Sequence, residues 1–503
     1  MDTQETYTLK NGMTLTDPND IKIFEMLLEF TPHCNVNFLW NDIGLGNLFG
    51  ACFQHIERFC VDNQKWYIYN NGVWEIDKGD IKSQGNMQKL LQLLHLYCKE
   101  IENDTNKDVL KQYSAYINKS SSDTILRRCL NASKNSLMIN ITDFDNNPYL
   151  LNCTNGLYDL RTGTIVPNTH DLYITKRTTT YPAHALTTPC MRWYQFIDEI
   201  MSHDKEKASF LQRALGYSLL GVNKEECMFM AYGALSRNGK GTLMSAVKKA
   251  LSEDYADSSD IELICQDKSG RTKDFNSPQP AIARLVGKRL VEMSETNRDH
   301  LLASAPMKTM TGRDTLITRG LHENSFAFVP QFTMWLSTNY LPTINDDTVF
   351  KSNRIWVIEF NEHFDASRQD RDLKELFESP ENLPTVLRWL MDGCADYIKN
   401  GLNPPESVRK ATANYRERYD RIGNFIKEKC TVDMSKKTLR STLNAAYRSW
   451  CSSPDNRFTP LSPSNFFNEI ELRGFPVRRA NDGFYVHGIS LNEVISSDGK
   501  IIL

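Results

Sequence analysis

None of the 12 cysteines in this 503-residue chain stands in a Cys-x-x-Cys or Cys-x-x-x-x-Cys pair, so nothing seeds a zinc ribbon. Scattered thiols also speak against a disulfide framework and fit a reducing compartment. Long apolar runs are missing as well. The longest, Leu90 to Tyr97 and Phe326 to Leu336, are interrupted well short of a bilayer span. Met1-Asp2-Thr3-Gln4-Glu5 lacks the basic-then-apolar pattern of a secretion signal. The expectation is a cytoplasmic protein with no membrane partner. Repeats and low-complexity segments are absent, and so is a cationic excess: 59 basic and 62 acidic residues leave a net charge of −3. One stretch departs from that balance. Residues 404–450 hold eleven Lys/Arg against five acids, a net of +6, which a solvated helical face explains as readily as a DNA contact.

What is present is ordinary globular composition, 40% hydrophobic, 24% charged and 10% aromatic, in a chain long enough for about two to four domains. Residues 20–135 mix helix-like stretches with a strand pair, Trp66 to Tyr69 and Val73 to Ile76, around the turn Asn70-Asn71-Gly72. Gly156 to Leu160 and Thr164 to Val166 repeat the device around Arg161-Thr162-Gly163. From Cys227 apolar strands alternate with amphipathic helices, the mark of a parallel sheet covered by helices. The expected strands are Cys227 to Tyr232, Arg289 to Met293, Thr333 to Ser337 and Ile355 to Phe360. Helices broken at Pro380, Pro384 and Pro404-Pro405 follow. The tail from Ser435 reads as two helices and a hairpin around Asn481-Asp482-Gly483, the order that closes a winged-helix unit; such units bind DNA or dock proteins.

The strongest chemical signal is Gly233-Ala234-Leu235-Ser236-Arg237-Asn238-Gly239-Lys240-Gly241-Thr242-Leu243, between a strand and a helix. A P-loop needs that context: backbone N–H groups and a helix N-terminus face phosphate oxygens while a lysine bridges the outer phosphates. Residues 236–243 are the candidate nucleotide contacts. Ala234 replaces the pattern's first glycine, and Gly241 replaces the magnesium-binding Ser/Thr, leaving Thr242 as the candidate hydroxyl. A glycine-rich turn without a ligand is the plain alternative. Glu295, in Arg289 to Thr296, sits at the end of the strand, where a carboxylate can polarise water and hold magnesium; a surface ion pair would look the same. Asn339 ends the next strand, placed to orient water or sense a γ-phosphate. Arg354 is a candidate arginine finger for a neighbouring subunit.

With these four elements, the chain resembles the superfamily 3 helicase domain of phage and plasmid primase-helicases, the group that includes the poxvirus helicase-primase. The resemblance runs from about Asn41 to Leu491. Leu150 to Gly163 is similar to that group's signature "LL-N-x-x-NG-x-x-DL-x-TG", and Gly287 to Thr296 to its second acidic motif, with Asn297 in place of a frequent second acid. Lys308-Thr309-Met310-Thr311-Gly312-Arg313-Asp314 resembles its "K-x-x-TG-x-D" motif. In the family that motif leads into a β-hairpin touching DNA in the channel of a ring, which here spans Thr315 to Phe328 and makes Lys308, Arg319 and His322 the candidate DNA contacts. Asn353-Arg354 matches the family's paired arginines with the first one replaced.

The resemblance implies an α/β AAA+ core, with an α+β domain at 1–190, the helicase domain at 191–370, a helical segment at 371–430 and a winged helix at 431–503. It implies ATP and Mg2+ as cofactors, with Lys240, Glu295, Asn339 and Arg354 catalytic and Thr242 and Glu295 at the metal. Its partners would be single-stranded and forked DNA, further copies in a hexamer, and a separate primase or polymerase. The setting implied is the bacterial host of a phage or mobile element. Thr142-Asp143-Phe144-Asp145 imitates the Asp-x-Asp site of primase-polymerases, but the resemblance puts it in a linker, and no N-terminal primase domain is expected. The alternatives are a helicase-primase that also makes primers, and a non-catalytic origin-binding initiator whose altered loop holds nucleotide structurally.

Overall fold

The computed structural model describes residues 6–184, 188–266, 272, 280–294, 300–318, 326–344, 348–453, 460–492, 494–495 and 501–502. The N-terminal part packs helices Pro18–Phe30, Asp42–Phe53, Ile81–Glu100, Lys107–Ser120 and Asp123–Leu137 around one core that includes Phe24, Phe49, Met87 and Leu94. Asp17 starts the first helix by accepting from the Asn19 amide, and Pro18 occupies the first turn, where a missing N–H costs nothing. The expected hairpin is present: Asn70 pairs with Val73, and Asn71 and Gly72 carry φ of 48° and 80°, as a two-residue type I′ turn requires. Leu150–Cys153, Gly156–Asp159 and Thr164–Val166 form an antiparallel three-stranded sheet.

At the centre lies a parallel sheet of five strands, β1 (Met228–Tyr232), β2 (Ala256–Asp260), β3 (Leu290–Ser294), β4 (Thr333–Thr338) and β5 (Ile355–Glu359), in the order β2-β3-β4-β1-β5. Four of these strands are read from sequence. The fifth, β2, is Ala-Asp-Ser-Ser-Asp at the sheet edge, without an apolar run to reveal it. Alternate side chains of β1 and β4 face opposite layers. Phe229 and Trp335 stack at 4.8 Å on the side of helix α1 (Lys240–Tyr255). Met228 and Met334 face the layer that contains Met307 and Met310 of helix α2 (Ser304–Thr311) and Tyr415.

Of the prolines expected to break helices, Pro384 does not; it sits in the first turn of Leu383–Asn400, the one place where proline favours a helix. The C-terminal unit runs helix Arg421–Lys429, strand Cys430–Leu439, helices Arg440–Cys451 and Pro463–Leu472, then strands Val477–Ala480 and Gly483–Leu491, with the last strand central in its sheet. The polar strand 430–439 is not visible in the sequence pattern. Ile422 and Phe425 pack in this unit's core, so its core begins ahead of the expected boundary at 431.

Arg289, 2% exposed, joins the N-terminal part to the central sheet. Its guanidinium donates to the carbonyls of Pro148, Leu219 (3.1 Å) and Leu150 (3.2 Å) and lies over the Tyr255 ring. The 12 cysteines are all free thiols: ten are buried, Cys190 is half-buried and Cys34 is exposed. No described helix is long and apolar enough to cross a membrane.

Candidate nucleotide site

The glycine-lysine loop joins the end of β1 to the start of α1, with β4 and β5 on either side. Neighbouring strands hold it: the Gly233 N–H donates to the Thr338 carbonyl at 3.2 Å, Phe360 N–H to Tyr232, and Phe364 N–H to Arg237 at 2.9 Å. Asn238 is buried and donates to the Leu235 carbonyl at 2.6 Å, closing the loop from within. Gly239 has φ of 86°, and a Cβ there would collide with Ile200 and press on Phe196; only glycine fits.

Lys240 is 7% exposed. Its ammonium donates to Asn339 Oδ1 at 2.9 Å and to the Gly233 carbonyl at 3.3 Å. Burial lowers its pKa to about 8. An unfolded lysine titrates near its ordinary 10.5, so between the two values the unfolded chain holds more protons and stability rises with pH through that window. The structure therefore brings together Lys240 and Asn339, which stand 99 residues apart.

Ser236, Arg237 and Gly241 are exposed and Thr242 is half-buried at the helix start. A Cβ on Gly241 would meet nothing within 4 Å. Leu243 corrects the sequence reading. Its side chain is fully buried in the core and its N–H donates to the Gly239 carbonyl at 3.0 Å, so it anchors α1 and offers a ligand nothing. Glu295, Arg319 and His322 lie outside the described residues. The arms of the expected hairpin are described: Leu316–Thr318 pairs with Phe326–Phe328. Lys308 is half-buried on α2, which leads into it.

Arg354 is not brought to Lys240. It precedes β5 at the opposite end of the sheet, about 16 Å away by the rise of five strand residues, with its carbonyl accepting from Met228 at the foot of β1. Its guanidinium pairs with Glu226 at 2.7 Å and donates to Thr311 Oγ1 at 2.9 Å. Within its own chain it ties the threonine of the "K-x-x-TG-x-D" segment to the residues that lead into β1.

Sequence reasoning passed over Glu292 because it lies mid-strand. It is 7% exposed, pairs with Lys248 of α1 at 2.5 Å and accepts from Ser337 at 2.9 Å. Ser337 is two residues before Asn339 in the chain. Asp143 accepts from Asn140, and Asp145 from the amide (2.8 Å) and hydroxyl of Thr175. No group of three or more His, Cys, Asp or Glu able to hold a metal occurs among the described residues.

These features define a mixed α/β protein whose parallel sheet carries a lysine-bearing strand-loop-helix at its carboxyl edge. Viral proteins named as putative helicases and primases are among those it is similar to. Residues 48–202 match the family described as D5 N terminal like. "Putative helicase L207/L206" of Acanthamoeba polyphaga mimivirus is 25% identical over 414 residues, covering 75% of this chain and 42% of that protein. Primase D5 of Fowlpox virus (strain NVSL) is 20% identical over 332 residues, covering 62% of this chain and 40% of its own length. The chain thus spans less than half the length of these curated relatives. Among solved structures, the A form apo structure of NrS-1 C terminal region-CTR is similar at 12% identity and a TM-score of 0.47, covering 87% of this chain and 96% of that one.

Proposed function

We propose that this chain is an ATP-dependent DNA helicase of the superfamily 3, AAA+ type, serving replication of a virus or related mobile element. The observation that carries the reading is the Lys240–Asn339 contact at the carboxyl edge of the sheet, where open α/β sheets bind ligands. The strand order, with β1 between β4 and β5, supports the AAA+ assignment, and the helix-strand-helix-helix-hairpin order after 421 supports a winged helix. A triphosphate fits the donor set: among the described residues the Lys240 ammonium meets only neutral oxygens, for which a phosphate is the stronger acceptor. Lys240 and the loop amides would hold the phosphates, and Thr242 with Glu295 would hold Mg2+. ATP supplies the phosphoryl group whose hydrolysis drives stepping. Asn339, released from Lys240 as phosphate takes its place, would read the γ-phosphate.

The working form is a ring, a hexamer in this reading, on single-stranded and forked DNA, with Lys308, Arg319 and His322 on or beside the hairpin as backbone contacts. For Arg354 to serve a neighbour's site, that neighbour's phosphate must outcompete Glu226. Steady-state phosphate release with and without single-stranded DNA tests the whole: stimulation is expected, and a nucleotide-bound chain that releases none would favour the initiator reading.

Only the ammonium form of Lys240 grips phosphate, so nucleotide affinity should be full below pH 8 and fall by up to about tenfold per unit above it. Titration calorimetry at about pH 8.5 in buffers of different ionisation heat should then show proton uptake. Gly241→Ser fills open space in a helical turn and should stabilise the chain by about 0.5 kcal/mol. A magnesium titration of the same variant should shift to lower metal concentration.

A further inference from the structure

A cleft of about 580 Å³ lies between the N-terminal part and the base of the hairpin. Its floor is apolar. Ile141 packs on the cores of both sides, and Phe144 stacks on Tyr67 at 4.4 Å beneath it. Two aliphatic side chains stand exposed on opposite walls, Ile76 at 43% and Val329 at 47%, the latter next to the hairpin strand Phe326–Phe328. The charged groups on the lining are Lys65, Lys176 and Arg284 against one carboxylate, Asp145. That carboxylate is already held by the amide and hydroxyl of Thr175.

The Lys176 ammonium has no hydrogen bond or ion pair among the described residues. Its stem is packed against Gly287, where φ is 73° and a side chain would displace it. Arg284 pairs with Asp257 at 3.5 Å and donates to the Ser258 carbonyl, both outside the cleft, with half of its side chain still exposed. Burial, and after it Lys176, lowers the pKa of Lys288, while Asp257, Asp254 and Glu253 act in the opposite direction. An apolar floor, two exposed aliphatic side chains and three cations against one tethered acid suit a polyanion with aromatic units. Exposed Thr142 and Asn146 add neutral hydrogen-bonding groups to the lining, and the excess of cations over the one carboxylate favours a polyanion over a neutral peptide.

We propose that this cleft holds a segment of single-stranded DNA, with bases between Ile76 and Val329 and the phosphate chain along Lys176 and Arg284. The proposal rests on the DNA-translocase reading and adds to it a second contact zone outside the hairpin. The N-terminal part would then keep hold of one strand beside the element that moves it. Arg289 and the Pro148 to Asn152 segment fix that part to the sheet, so the cleft would keep its width while the hairpin steps.

The test uses the full chain and a fluorescent oligothymidylate. Lys176→Glu should weaken binding about tenfold at 0.1 M salt and reduce the slope of log affinity against log salt by about 0.7, the share of one single-strand phosphate contact. Its melting temperature should match that of the parent, and Lys176→Arg should restore binding. A benzophenone side chain placed at Ile76 should cross-link to the oligonucleotide. The proposal is overturned if Lys176→Glu binds with parental affinity and salt slope, or if position 76 fails to cross-link while the chain still binds the oligonucleotide. A chain that binds no oligonucleotide at all would sink the helicase reading as well, and the parental control separates the two results.

Discussion

Lys240→Ala is expected to cut nucleotide hydrolysis by roughly 10²–10³-fold, the scale on which removing a single charge-stabilising donor from a phosphoryl or acyl site acts. The loop itself should survive. Gly239, Asn238 and the backbone bonds from Phe364 and Gly233 hold it independently of the lysine, and the buried ammonium is a cost to the folded state, as its lowered pKa shows. A melting temperature equal to or above the parental one, together with lost phosphate release, would separate chemistry from folding. Asn339→Ala should lose less, because it removes a neutral acceptor rather than a charge. DNA-stimulated hydrolysis left intact in Lys240→Ala would refute the site.

Arg289→Leu should be the most destabilising single change outside the site, by about 3–5 kcal/mol. The replacement strands three buried carbonyls, those of Pro148, Leu150 and Leu219, each of which costs about 1–3 kcal/mol without a donor. Leucine also cannot fill the space that Gly221 leaves for the guanidinium. Because the three carbonyls lie in two parts of the chain, a denaturant melt should change from one transition toward two as the N-terminal part releases first. A single unshifted transition would show that apolar packing, not this arginine, joins the parts.

The site was legible to the extent that its chemistry is local. A positive-φ glycine before a lysine, between an apolar strand and a helix, is written in consecutive residues, and so is the two-residue turn Asn71-Gly72, whereas the hairpin arms around 316 and 328 were implied only by the family resemblance. The partnership of Lys240 with Asn339 depended on two strand ends whose apolar runs give their positions. What stayed hidden is set by the third dimension. Strands β2 and 430–439 lie at sheet edges, where solvent permits polar residues and no run of apolar ones marks the strand. Leu243 matches a loop pattern but points inward, because the helix phase at that residue belongs to the core. Arg354 reads as a free finger until Glu226 and Thr311, 128 and 43 residues away, are seen around it. Glu292 hides in mid-strand because no spacing rule connects it with Lys248 and Ser337.

The distribution of thiols has a practical consequence. Burial pushes Cys52, Cys129 and Cys153 up to about 12, so their thiolate forms are vanishingly rare at neutral pH and their sulfurs are out of a reagent's reach. Cys34, exposed beyond the end of the first helix, is left as the residue that a maleimide dye would modify first. The native chain thus carries its own attachment point for a fluorophore, and counting photobleaching steps from singly tagged protomers would give the copy number of the assembly without altering one amino acid.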